Sequence, residues 1–235
     1  MSAPVPATVT REEWLAARRA FLAREKAFDR ERDALAAARR ALPRVKIDPG
    51  YVFREQGGER TLLDLFGDKP QLIVYHFMLG PDAVEGCRGC SFVADNIEGG
   101  WRHLSARDTA FAMVSRAELS AIEAFKRRMG WTMRWLSSAG SEFNFDFGVS
   151  FRTDEDGRAY NYGGKRPGAG ERPGLSCFSR EGTDVFHTYS TYERGLDLLL
   201  GTYNYLDLTP LGRHEEGLSF PMAWVRHHDR YDEAP

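Results

Sequence analysis

Apolar residues recur along this chain in distinct rhythms, and each rhythm predicts a different element. Between Thr10 and Leu42, Trp14, Phe21, Phe28 and Leu35 return every seven residues, joined by Leu15 and Leu22, on a background of Ala, Arg and Glu. That is one apolar stripe on an otherwise charged helix. Thr10-Arg11-Glu12-Glu13 forms a capping box at its start, and Pro43 stops it. The stripe packs along its own domain or meets a second copy of the chain, so a homodimer through this helix is one expected partnership.

After Pro43 the rhythm changes. Gln71-Leu72-Ile73-Val74-Tyr75-His76-Phe77-Met78 and Thr109-Ala110-Phe111-Ala112-Met113-Val114-Ser115 are unbroken apolar runs, as central strands covered on both faces require. Each precedes a helical segment, Ser91 to Ile97 and Ala117 to Met129. In the second, Leu119, Ile122, Phe125 and Met129 keep helical spacing. Strand, helix, strand, helix implies parallel strands joined by right-handed crossovers.

Two hairpins flank this unit. Tyr51-Val52-Phe53 and Thr61-Leu62-Leu63 surround Gln56-Gly57-Gly58-Glu59, and Leu175 to Phe178 and Asp184 to Tyr189 surround Arg180-Glu181-Gly182-Thr183. Trp135 to Ser138 reads as a short third strand. Glu142 to Phe151 alternates, with Phe143, Phe145 and Phe147 on one side, and so predicts a strand. Thr153 to Gly174, rich in Gly and charge, reads as a long mobile loop; Tyr192 to Tyr203 reads as a last helix. The expected organisation is a tail and amphipathic helix over 1–43, an α/β domain over 44–213, and a C-terminal tail over 214–235.

The 235 residues are 42% hydrophobic, enough for one well-filled core. A net charge of −2 points to neither nucleic acid nor an anionic membrane as partner. No apolar run approaches the roughly 20 residues that span a bilayer, and Met1 to Ala7 lacks the pattern of a secretory signal. The expected location is the cytoplasm. Three cysteines, an odd number, do not suggest a secreted disulfide scaffold.

Two of the three lie in Gly86-Cys87-Arg88-Gly89-Cys90-Ser91, after an apolar strand and a Gly80-Pro81-Asp82 turn and before a helix. At a helix start the first thiol gains from unpaired amides and the helix dipole, both of which favour thiolate. Cys87 takes that exposed position as nucleophile, and Cys90, one turn deeper, resolves the mixed disulfide. Arg88 favours the thiolate while Glu85 and Asp82 oppose it, so the net direction stays open. The expected partner is a protein or small-molecule thiol or disulfide, with no bound cofactor. Pro81, Arg88 and Tyr189 are candidate neighbours of the substrate.

Two alternatives remain. A zinc or copper site would join Cys87 and Cys90 to His76 and His187, but neither a second Cys-x-x-Cys nor a Cys-x-x-His is present. His76 reads more simply as a core histidine, His103 as a surface one, and His227-His228 as solvated. A peroxiredoxin-like thiol peroxidase would carry Thr or Ser between Pro81 and Cys87, and none lies there. Cys177 reads as a small hydrophobe on a strand.

Larger blocks are also distinctive: Tyr75-His76-Phe77-Met78, Gly86-Cys87 with Cys90-Ser91, Ala94-Asp95, Ala124 to Trp131, Phe143 to Phe147, and Phe186-His187-Thr188-Tyr189-Ser190-Thr191-Tyr192. In these the chain resembles a bacterial family known as domain of unknown function 899, described as thioredoxin-like, predicted dithiol-disulfide oxidoreductases. The resemblance runs from the first helix to about Arg213. It implies a thioredoxin-like fold with a central mixed sheet flanked by helices and a long N-terminal helix, with Cys87 and Cys90 as the active pair. Arg88 is a departure, since the family often has Pro after the first Cys.

Overall fold

A computed structural model describes residues 6–152, 159–163 and 168–231. The chain divides into two units, Met1–Pro43 and Arg44–Pro235. The first is one helix, α1 (Arg11–Arg40). Its N-terminus carries the expected capping box: the Glu13 amide donates to Thr10 Oγ1 at 3.3 Å, and the Thr10 amide donates to Glu13 Oε2 at 2.9 Å. A cap of this kind contributes about 1 kcal/mol. No residue of α1 is buried, and its apolar stripe is exposed.

The second unit runs β1 (Val45–Ile47), β2 (Val52–Glu55), β3 (Gly58–Thr61), β4 (Gln71–His76), α2 (Arg88–Glu98), α3 (Trp101–Ser105), β5 (Thr109–Ser115), α4 (Leu119–Arg128) and β6 (Trp135–Ser137). It continues through α5 (Phe143–Asp146), β7 (Ser150–Phe151), β8 (Gly170–Glu171), β9 (Gly174–Glu181), β10 (Asp184–Tyr192) and α6 (Gly201–Leu206), with 3-10 turns at Leu63–Phe66, Glu193–Leu199 and His228–Arg230. Eight strands form one mixed sheet in the order β1-β10-β9-β4-β5-β6-β2-β3. β4 and β5 are parallel and in register from Gln71 against Thr109 to His76 against Val114. β9 runs antiparallel to β4 and to β10. The order β10-β9-β4-β5, with helices after β4 and β5 and a hairpin of β9 and β10, is the connectivity of a thioredoxin-like α/β fold.

Side chains alternate across β4, so each face of the sheet builds its own core. Tyr75, Met113, Trp135 and Phe77 pack on one side with Phe125, Trp131 and Cys90. Leu72, Val74, Ala112 and Val114 pack on the other with Phe143, Phe147 and Phe178. Burying each of these large side chains contributes about 1.5–3 kcal/mol.

Three expectations change. Residues 142–151 are not one strand: Phe143–Asp146 is a helical turn, and only Ser150–Phe151 is extended. The alternating Phe residues also satisfy a spacing of four, which lets Phe143 and Phe147 enter the same core with rings 4.6 Å apart. The last helix is split. β10 reaches Tyr192, Glu193 turns with a positive φ of 48°, a 3-10 turn follows, and α6 starts after Leu200. Residues 214–231 do not trail away as a tail, because Val225 and His227 are buried in the domain. Of the expected loop over 153–174, positions 153–158 and 164–167 lie outside the described residues. Tyr160 within it is buried and donates its hydroxyl to Pro173 O at 2.7 Å.

Candidate functional site

β4 ends at His76, and the chain leaves the sheet edge through Phe77, whose amide donates to Val114 O at 2.9 Å. The loop returns at Gly86, where glycine is required: a Cβ would sit 2.6 Å from the rings of Phe77 and Phe125. Cys87 follows as the N-cap of α2, in an extended conformation, its carbonyl accepting from the Ser91 amide at 2.9 Å. Cys90 is one turn further in and buried. The two approach to 4.2 Å, and the Met78 amide donates to Cys90 Sγ at 3.4 Å.

Their environments push the thiols apart. The Cys90 thiol, offered toward the Cys87 sulfur, is the largest influence bringing the Cys87 pKa down to about 6. Burial opposes this, while the amides of Cys90 and Gly89 and the charge of Arg88 assist it. Burial drives the Cys90 thiol up instead, and the neighbouring Cys87 adds to that. The direction left open by the sequence is thus downward at Cys87. Glu85, which was set against the thiolate, is engaged by Arg230 at 2.6 Å and Arg128 at 3.1 Å. Those guanidinium groups spend its charge.

Tyr75, facing the thiols from β4, is the residue that sequence reasoning missed. Its hydroxyl is buried and lies beside the Cys90 thiol, with which it interacts. Burial and the adjacent Cys90 push its pKa well up, so it remains a phenol. The signal was present as an aromatic hydroxyl following the hydrocarbon run Leu72-Ile73-Val74.

The thiols open into a cavity of about 840 Å³. Tyr75, Met78 and Val93 line it together with Leu196, Leu200 and Met222. Cys87, expected at an open surface, is half-buried because the segment after α6 folds back over α2. Met222 stands 3.5 Å from where a Gly89 Cβ would be. Glu215 latches this segment by accepting from Tyr203 at 2.6 Å, Trp224 Nε1 at 2.7 Å and the Met222 amide at 2.9 Å.

His227, expected in solvent, is buried at 3% exposure and is a second residue that was missed. Its Nε2 lies 2.9 Å from Gly86 O and its Nδ1 3.2 Å from Arg128 Nη2. A carbonyl only accepts and a guanidinium only donates, so these contacts fit a ring with its proton on Nε2. His227 thereby ties the C-terminal segment to the residue before Cys87. His228 stays at the surface against Asp95 at 2.7 Å, and His103 is exposed on α3.

Other candidates lie apart from the thiols. Pro81 lines a separate cavity with Arg116 and Glu171, and Tyr189 is on β10 opposite Cys177, outside the thiol cavity lining. Arg88 is exposed beside Cys87. His76 and His187 belong to the far face of the sheet. His76 Nε2 lies 2.8 Å from Ser176 Oγ, Ser176 Oγ lies 2.8 Å from Ser190 Oγ, and Ser190 Oγ lies 2.7 Å from His187 Nε2. Burial brings the His76 pKa down to about 3. The four-residue metal arrangement is therefore not assembled, since alternation along β4 sends Tyr75 to the thiols and His76 away from them. Among the described residues no group of three or more His, Cys, Asp or Glu side chains could hold a metal. Nor is any helix among them long and apolar enough to cross a membrane.

Solved structures similar to this chain include PrxQ of Xylella fastidiosa, at 11% identity over 68% of this chain and 94% of that one, with a TM-score of 0.47. Peroxiredoxin Q of Xanthomonas campestris gives 13% identity, 70% and 96% coverage and a TM-score of 0.48. Peroxidoxin BcpB from Mycobacterium tuberculosis gives 15%, 70% and 94%, and 0.44. No curated protein matches the sequence. A family model does match, over residues 3–231, and the chain belongs to that family, described as Bacterial protein of unknown function (DUF899).

Proposed function

We propose that this protein is a dithiol–disulfide oxidoreductase, with Cys87 as nucleophile and Cys90 as resolving thiol, acting in the reducing cytoplasm without a bound cofactor. The observation that carries the reading is the split between two thiols in one helical turn. One is held as thiolate near neutral pH and the other is buried and protonated beside it. In the first step Cys87 thiolate attacks a disulfide, forming a mixed disulfide and releasing one thiolate product. Cys90 then loses its proton and attacks Cys87 Sγ. The Cys87–Cys90 bond forms, and the second product leaves as a thiolate that takes up a proton. The Tyr75 hydroxyl, beside Cys90, is placed to donate a hydrogen bond to the thiolate that Cys90 must become. A stabilised Cys87 thiolate favours the reduced pair, which sets the couple toward the oxidising end of the range for such proteins.

Replacing each cysteine tests this. Cys87→Ser abolishes reduction of a model disulfide, whereas Cys90→Ser accumulates a mixed disulfide on Cys87, read as an adduct in the intact mass. Full activity in Cys87→Ser removes the reading. Peroxide consumption that persists in Cys90→Ser reassigns the nucleophile to a thiol peroxidase.

A further inference from the structure

Thiol proteins that act on folded partners need the nucleophile on an open face, where a substrate chain can lie across it. Here the opposite holds. The segment 211–222 and the 3-10 turn 193–199 wall Cys87 into a concave space of about 840 Å³, within the range of small-molecule sites. The wall is anchored at both ends, by Glu215 on three donors and by His227 on Gly86. Met78, Val93, Leu196, Leu200 and Met222 give the space an apolar lining beside the thiols and the buried Tyr75 hydroxyl.

Carboxylates outnumber guanidinium groups in the lining of this space. Five carboxylates, Glu193, Asp197, Asp207, Glu215 and Glu216, line it, against two guanidinium groups, Arg194 and Arg213. Both cations are already engaged. Arg213 is held by Asp207 at 2.9 Å and Asp197 at 3.2 Å, and Arg194 by Asp197 at 3.2 Å. Among the described residues Glu193 accepts from a neutral amide, Asn161, and neither Glu193 nor Glu216 has an ion pair. A site with surplus carboxylates repels anions and draws cations inward.

We infer that the substrate is a low-molecular-weight disulfide with short apolar arms that are uncharged or cationic, rather than a protein disulfide or an anionic small one. This rests on the dithiol reading above and adds the substrate class. Its stoichiometry is one disulfide reduced to two thiols for each Cys87–Cys90 bond formed.

The test is single-turnover oxidation of the reduced full-length protein, followed by intact mass after alkylation. The probes are cystamine (dication), 2-hydroxyethyl disulfide (neutral), 3,3′-dithiodipropionate (dianion) and insulin. Each rate is normalised to that of the same disulfide with 2-mercaptoethanol. Cystamine is expected to exceed the dianion at least tenfold at low salt, with the ratio shrinking at 0.5 M salt, and insulin to be slower than both uncharged and cationic probes. In Glu193→Gln with Glu216→Gln the preference for cystamine over the dianion falls. Equal normalised rates for dication and dianion, or insulin reacting as fast as cystamine, overturn the substrate class and leave the dithiol chemistry standing. Failure of every disulfide to oxidise the pair overturns both.

Discussion

Cys87 and Cys90 share one turn of α2 yet behave as different chemical groups, and the difference comes from what each touches. Cys87 receives donors from the start of the helix, while Cys90 is sealed against Tyr75 and Met78. Because the neighbouring thiol is the leading influence on Cys87, alkylation of Cys87 should show a midpoint near pH 6, measured as iodoacetamide rate against pH. Cys90→Ala should move that midpoint upward, and an unmoved midpoint would assign the effect to the helix amides. The thiolate also couples to stability. A thiol whose pKa is lowered on folding adds stability at pH above its unfolded value of about 8.5. That contribution is lost as pH falls through about 6. Gly86 is equally specific. Gly86→Ala should cost about 1–3 kcal/mol in denaturant unfolding, because Phe77 and Phe125 are buried and have no room to give.

At the scale of elements, unbroken apolar runs and helical spacing were enough to place β4, β5, α2 and α4, because each buries a continuous face whichever neighbours it meets. Where two periods coincide, pattern alone misleads. Phe143, Phe145 and Phe147 read as a strand, but packing of Phe143 and Phe147 into one core selects the helical turn. α1 was legible down to its capping box. Its stripe leaves Phe21 50% and Phe28 66% exposed, and a second copy of the chain is our proposed partner for it. Sedimentation should report a dimer at micromolar concentration, and Phe21→Glu with Phe28→Glu should yield a monomer with unchanged disulfide reduction. A monomeric wild-type protein would rule out that partnership.

For the molecule as a whole, the decisive feature is the return of the chain after α6 to wall in the thiols. Glu215 is its hub. Burial raises the Glu215 pKa, but donation from Tyr203, Trp224 and the Met222 amide outweighs this and leaves it lowered. The stabilisation it supplies is present above the unfolded carboxylate value and lost as pH falls through the lower folded one. Glu215→Ala leaves three donors without an acceptor, a cost of about 1–3 kcal/mol. It should speed proteolysis within residues 208–226 while β4 and β5 stay protected in hydrogen exchange. Cleavage at the wild-type rate would show that Glu215 is not the latch.

Local information alone determined the types of β4, β5, α2 and α4, the stop at Pro43 and the placing of Cys87 and Cys90 within one helical turn, since periodicity and short spacings act within a few residues. Contacts between distant positions decided the rest. Tyr75 meets Cys90 only once β4 lies beneath α2, and His227 reaches Gly86 across 141 positions. His76 and His187 become partners of two serines instead of the thiols because the sheet has two faces. Neighbours brought together by folding bury Cys90 and shape the cavity beside the thiols, and no stretch of sequence contains them.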